Sequence, residues 1–143
     1  MKIAFLSDIH GNIEAFNAVL KTIEKEDIDT IYIAGDFVGY YYHPDKVIDI
    51  CMSRDDIHCI RGNHDRNFIE ALNDENLMST LISKYGSSYA LTKEKLNTQH
   101  VSWLEELPSI LTFEKEKVNI TIAHASIHSE DEYVYPSESI DNL

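Results

Sequence analysis

The sequence predicts an α/β protein built on a parallel sheet, and three observations predict it. Short apolar runs alternate with amphipathic segments in the order strand, helix, strand, helix, strand between Lys2 and Ile60. Each run ends in a polar loop: Ser7-Asp8-Ile9-His10-Gly11-Asn12, Ala34-Gly35-Asp36-Phe37-Val38-Gly39, and Arg61-Gly62-Asn63-His64-Asp65. The 143 residues are 43% hydrophobic, which suits one domain, residues 1–143, with a real core. Parallel strands joined by right-handed crossovers gather ligands beyond their carboxyl ends, where these loops fall.

Lys2 to Ser7 is continuously apolar and is expected as a strand buried on both faces. Ile13 to Lys25 is a helix with Ile13, Phe16, Leu20 and Ile23 on one face and Asn12 as its N-cap. Thr30 to Ala34 is the second strand. Pro44 suits the first turn of a helix over Pro44 to Ser53, and Ile57 to Ile60 is the third strand. Arg66 to Leu72 and Leu77 to Tyr85 are expected helices, with Gly86-Ser87-Ser88 a break. Thr92 is expected to cap one helix ending near Leu107, with Leu96, Trp103, Leu104 and Leu107 on its buried face and Pro108 closing it. Ser109 to Phe113 and Lys117 to Ala123 form an antiparallel hairpin around Glu114-Lys115-Glu116, the start of a second sheet. Ser126 to Leu143 lacks any period and is expected as loop or tail.

Acidic residues outnumber basic ones 25 to 12, for a net charge of −13. Such a surface repels nucleic-acid phosphates, so non-specific DNA or RNA binding is not expected. Cys51 and Cys59 have no metal-type spacing and are expected as reduced thiols. Neither a signal peptide nor a membrane span is seen, and a cytoplasmic protein is expected.

Asp8 and His10, one residue apart at a strand end, can turn to one side. Asp36 offers a carboxylate able to bridge two ions, Asn63 an amide oxygen, and His124, after the last strand, a second imidazole. This mixed N/O set without thiolate suits hard or borderline cations in open sites and not a closed structural zinc. Taken singly, each piece has a plain structural explanation: Gly-Asp starts turns, and a histidine can be a satisfied core residue. Turn chemistry does not explain all of them in order, each at a strand end.

The series Asp8-x-His10, Gly35-Asp36-x-x-Gly39, Gly62-Asn63-His64-Asp65 and a strand-borne His124 resembles the calcineurin-like metallophosphoesterase superfamily. Ser7 to Asn12, Gly35 to Tyr40 and Arg61 to Asp65 most resemble its small bacterial and archaeal phosphodiesterase, diadenosine-tetraphosphatase-like branch. The resemblance runs from Met1 to about Tyr135. It implies a four-layer αββα sandwich and two divalent ions, manganese first, with iron, zinc, nickel or magnesium as alternatives. Asp8 and His10 would hold one ion, Asn63 and His124 the other, with Asp36 bridging. His64 would act at the scissile phosphate as electrostatic clamp or general acid, Asp65 would orient it by accepting a hydrogen bond, and Asn12 would lie near the substrate. The implied activity is hydrolysis of phosphodiesters or nucleotide-type phosphoanhydrides by a metal-activated water.

The family's downstream Gly-His-x-His motif is not in this sequence, and only His128 follows His124. The chain therefore resembles the first part of a longer member, with the C-terminal part of the fold missing. Two readings stay open: an enzyme, or a non-catalytic remnant that binds or interacts. An unfinished sheet edge leads to the expectation of a homo-oligomer covering it. His128 is expected as an exposed loop residue, and Tyr40, Tyr41 and Tyr42 as packing their loop over the sheet. A nucleotide-binding Rossmann-type domain is disfavoured because no Gly-rich phosphate loop is present.

Overall fold

A computed structural model describes residues 2–135, so the expected tail over 136–143 lies outside the described residues. Strands β1 (Ile3–Leu6), β2 (Thr30–Ile33) and β3 (Ile57–Cys59) form a parallel sheet in the order β1-β2-β3. Ile3 pairs with Thr30 and Ile31 with Ile57. Strands β4 (Ile110–Lys115) and β5 (Val118–Ala123) form the antiparallel hairpin, with Phe113 opposite Ile120.

The alternation of β2 divides the interior in two. Ile31 and Ile33 face the helices, where α1 (Ile13–Lys25) buries Ile13, Phe16, Leu20 and Ile23, and α2 (Pro44–Met52) buries Val47, Ile48 and Cys51. Tyr32 faces the hairpin, and its ring lies flat on Phe113 at 4.4 Å between centroids. Ile60 and Ile122 complete this second, smaller core. Helices, parallel sheet and hairpin are thus three layers among the described residues. The outward side of the hairpin is polar, with a 3.1 Å hydrogen bond between the Thr112 and Thr121 hydroxyls.

Three expectations are corrected. Among the described residues β1 is an edge strand and is not buried on both faces: Phe5 is 55% exposed, its ring stacked beside Tyr32 at 5.7 Å, while Phe113 of the hairpin covers Tyr32. Among the described residues only β2 is enclosed on both sides. The helix expected from Arg66 begins at Asn63, so α3 (Asn63–Ala71) takes the motif into its first turn. The expected single helix from Thr92 to Leu107 is two. After α4 (Glu75–Tyr85), α5 (Ser88–Lys95) holds Thr92 fully buried, its hydroxyl donating to the Ser88 carbonyl at 2.8 Å. Helix α6 (Thr98–Glu106) starts at Asn97, whose side chain accepts from the His100 N–H at 3.0 Å. Asn97 therefore supplies the cap assigned to Thr92. Leu104 is fully buried on α6, while Leu96, Trp103 and Leu107 are partly buried around it.

Candidate metal centre

The loops after β1 and β2 are laced together by main-chain bonds. The Asp8 N–H donates to the Gly35 carbonyl at 3.1 Å and the His10 N–H to the Asp36 carbonyl at 2.8 Å. Ile9, between them, points into the core. Its neighbours are left facing the cavity at positive φ, 57° for Asp8 and 50° for His10, and Asp36 joins them at 62°. Left-handed non-glycine backbone is uncommon and costs about 1 kcal/mol or more per residue; here three such residues meet at one site.

Asp36 is the shared element. It is buried, and its Oδ1 accepts from the His64 N–H at 2.9 Å. Its Oδ2 lies 3.6 Å from His10 Nε2 and 3.3 Å from His124 Nε2. His10 Nε2 is also 3.6 Å from Asp8 Oδ1, and His124 Nε2 is 3.1 Å from Asn63 Oδ1. Ligand atoms of Asp8, His10 and Asp36 fall within 4.8 Å of one another. Each imidazole is aimed from behind: His10 Nδ1–H donates to the Val38 carbonyl at 2.7 Å, and His124 Nδ1–H to the Ala34 carbonyl at 2.6 Å. That fixes Nε2 as the atom turned inward, as a carbonyl behind the ring does for metal-ligating histidines. The structure thus brings Asp8, His10, Asp36, Asn63 and His124 together.

Electrostatics follow from this crowding. Burial works against charge on His124, but hydrogen bonding and charge from Asp36, with the Ala34 carbonyl, raise its pKa to about 9. Burial likewise opposes charge on His10, while Asp8, the Val38 carbonyl and Asp36 raise its pKa on balance. The adjacent His10 holds the Asp8 carboxyl down to about 2 against partial burial. Protons on Nε2 of these imidazoles occupy the positions where a cation's positive charge would be balanced. The N/O donor set and the convergence on Asp36 Oδ2 fit divalent cations.

His64 and Asp65 depart from the expected pairing. The Asp65 carboxylate is fully buried, and its hydrogen bonds go to the main chain: N–H groups of Asp36 (2.8 Å) and Gly62 (3.0 Å) on one oxygen, of Phe37 (2.8 Å) and Val38 (3.2 Å) on the other. It clamps the β2 loop to the start of α3 and does not orient the His64 ring through a hydrogen bond. Burial first, then the Asp36 charge, raise its pKa to about 7, against amide donors that favour the carboxylate. The His64 ring is held by Tyr89, whose hydroxyl is 2.9 Å from Nδ1, within an aromatic box of Tyr40, Tyr85 and Tyr89. Burial lowers the His64 pKa, nearby Asp36 opposes, and His10 and His124 lower it further, so the ring is neutral at pH 7. Sequence reading missed Tyr89; its one signal is a tyrosine pair, Tyr85 and Tyr89, across the Gly86 break.

Two glycines are required by space. A Cβ on Gly62 would come within 2.2 Å of Asp36 Oδ1. One on Gly39, at φ +113°, would come within 2.9 Å of both His10 Nδ1 and His64 Nδ1.

Asp8, His10, Asp36, Asn63 and His124 line a cavity of about 410 Å³ with His64, Tyr40 and Tyr133 at its walls. Asn12 is not part of that lining. Its Oδ1 caps α1 by accepting from the Ala15 N–H at 3.1 Å, and it borders a separate, more apolar groove beside Asp8 and Tyr41. The tyrosine loop does not pack down as expected: Tyr40, Tyr41 and Tyr42 are 50%, 49% and 54% exposed. The Tyr41 N–H donates to the His10 carbonyl, and Tyr40 stands edge-on to the His10 ring at 4.8 Å, so the loop rims the cavity. His128 is exposed, and His100 is buried in the α6 cap with Nε2 2.9 Å from Asp49. Cys51 and Cys59 are free.

Fold and site together define a mixed α/β protein with a cation-suited N/O ligand cluster at the carboxyl ends of its parallel strands. The chain belongs to the calcineurin-like phosphoesterase family, whose pattern matches residues 1–143. It is 33% identical over 139 residues to the uncharacterized protein MJ0912 of Methanocaldococcus jannaschii, covering 94% of this chain and 54% of that protein. It is 35% identical over 131 residues to a symmetrical bis(5'-nucleosyl)-tetraphosphatase of Buchnera aphidicola, covering 89% of this chain and 45% of that enzyme. Its fold is similar to that of the hypothetical protein PH1004 of Pyrococcus horikoshii, with a TM-score of 0.82 and 26% identity over 96% of this chain and 60% of that one. The chain spans about half the length of the curated relatives it matches. No helix among the described residues is long and apolar enough to cross a membrane.

Proposed function

We propose that this chain hydrolyses phosphoesters, of phosphodiester or nucleotide-type phosphoanhydride class, with two divalent cations, manganese foremost. The observation that carries the reading is Asp36 Oδ2 set between His10 Nε2 and His124 Nε2, at 3.6 and 3.3 Å. Asp8, His10 and Asp36 would hold one cation, and Asp36, Asn63 and His124 the other. Divalent cations bound there would neutralise phosphate oxygens and lower the pKa of water so that hydroxide is available near neutral pH.

The chain's own groups do the rest. Carbonyls of Val38 and Ala34 keep both ligand imidazoles in the tautomer with Nε2 inward. With the Tyr89 hydroxyl donating into Nδ1, neutral His64 carries its hydrogen on Nε2, for donation to a phosphate or leaving-group oxygen. Asp65 contributes by fixing the two loops. Tyr40 and Tyr133 wall the cavity. The family and the likeness to a dinucleoside tetraphosphatase support a nucleotide-type substrate.

Turnover of a chromogenic phosphodiester and of a dinucleoside polyphosphate, with manganese and with chelator, tests this. Activity that requires the cation and drops about 100-fold or more in His64→Ala is expected. Cation binding without turnover would favour the second reading, a binding module. We further expect a homo-oligomer that covers an exposed sheet edge; a monomer by light scattering would refute this.

A further inference from the structure

Beside the metal centre is a second cavity, of about 350 Å³, that the reading above does not use. Arg61 and Arg66 line it, and it shares His124 and Glu130 with the first cavity. The chain has only three arginines against 25 acidic residues, so two guanidiniums at one cavity are a local exception to the field of the whole molecule. One carboxylate joins them. Glu130 Oε1 accepts from Nε and Nη2 of Arg61, both at 3.3 Å, and its Oε2 accepts from Nη1 of Arg66 at 3.0 Å. Arg66 Nη2 also donates to Asp131 at 2.7 Å. The Glu130 side chain is 10% exposed.

The segment that delivers Glu130 is weakly held otherwise. From Ile127 to Tyr135 it has no regular structure, and Ile127, Tyr133 and Tyr135 are 47%, 72% and 59% exposed. One buried knot anchors its start: the Ser126 hydroxyl donates to Glu132 and accepts from the main-chain N–H groups of His128 and Ser129. Beyond that, the Ser126 N–H donates to the Glu132 carbonyl at 3.1 Å, and side chains of Arg61, Arg66 and Asn63 hold Glu130 and Asp131. An anionic group bridging two guanidinium forks, on a strap with little apolar anchorage, beside a cluster suited to cations, is the arrangement a second phosphate would adopt.

We propose that Arg61 and Arg66 form an anion subsite for a second phosphoryl group, and that Glu130 occupies it as a built-in placeholder. A ligand with two linked phosphates, such as a diphosphate, would displace Glu130 and swing the strap outward. That this phosphate is the neighbour of the scissile one rests on the hydrolase reading above; the anion site itself does not. It implies a preference for phosphoanhydrides over esters carrying one phosphate.

Inorganic pyrophosphate, titrated calorimetrically into the chain without divalent cations and with chelator present, tests the site apart from any turnover. Glu130→Gln is expected to bind pyrophosphate about tenfold or more tightly than the unaltered chain, the scale of one charge-assisted hydrogen bond no longer contested. Glu114→Gln, on the outward face of the hairpin, removes the same charge elsewhere and is expected to change affinity less than twofold. Adding Arg61→Gln and Arg66→Gln to Glu130→Gln is expected to erase the gain, with the circular dichroism spectrum confirming that this variant is folded. Equal affinity in Glu130→Gln and the unaltered chain would overturn the proposal. So would a gain that survives loss of both arginines, or one matched by Glu114→Gln. Failure of metal-dependent hydrolysis together with these binding results would sink the hydrolase reading and leave the anion site standing.

Discussion

Replacing Asp65 tests what this residue does, because its place in the motif and its contacts point to different roles. All four hydrogen bonds its carboxylate accepts come from buried main-chain N–H groups at 2.8–3.2 Å: those of Asp36, Phe37, Val38 and Gly62. Asp65→Ala leaves these donors facing a hole. A buried donor without a partner costs about 1–3 kcal/mol, so even with water entering the space the loss should reach about 4 kcal/mol. Against a typical stability of about 5–15 kcal/mol this is a large fraction. The pH must be chosen with care. The folded pKa, about 7, is raised above the ordinary carboxyl value, so this group's contribution is greatest at acid pH and falls as pH rises from 3.8 to about 7. The comparison therefore belongs near pH 5, by urea unfolding in chelator. With slopes of about 1–3 kcal/mol per M, the midpoint should fall by roughly 1.3 M or more. A midpoint within about 0.5 M of the unaltered chain would refute the clamp and return Asp65 to a role confined to catalysis.

Other perturbations have outcomes as definite. Tyr89→Phe keeps the packing and removes the partner of His64 Nδ1; kcat should fall about tenfold with KM little changed, and kcat within twofold would refute its positioning role. Cation binding should displace protons from His124, whose pKa is about 9, so manganese affinity should rise by up to about tenfold per pH unit from 7 to 9. Without cations the same group's stabilisation is complete below pH 6.5 and is lost as pH rises through about 9; calorimetry in buffers of different ionisation enthalpy should count at least about one proton released. Gly39→Ala places a methyl within 2.9 Å of two imidazoles and should weaken manganese binding about tenfold or more, measured by titration; unchanged affinity would show that the loop can yield.

Much of the framework was legible because it is local. The α1 face, its Asn12 cap and the polar ends of β1 and β2 depend on spacing within a few residues. The gathering of Asp8, His10, Asp36 and Asn63 was legible for a related reason: parallel strands bring their carboxyl ends together whatever the rest of the chain does. Illegible were contacts made across long separations. Nothing near Thr92 shows that Asn97 wins the cap, since both are good N-cap residues and tertiary burial of Thr92 decides. The Asp65 clamp reaches back 29 residues to Asp36, and Tyr89 reaches His64 across 25, so neither partner is written beside the motif. β1 reads as an interior strand because its composition matches that of β2; only sheet order exposes Phe5.

The left-handed backbone at Asp8, His10 and Asp36 bears on how substitutions at these positions should be chosen. Asparagine tolerates that region of conformational space, whereas alanine, and more so a branched residue, resists it. Alanine scanning at these positions would therefore mix a loop that refolds with a ligand that is gone. Aspartate to asparagine changes charge while leaving the turn at ease, and is the substitution from which loss of cation affinity can be interpreted.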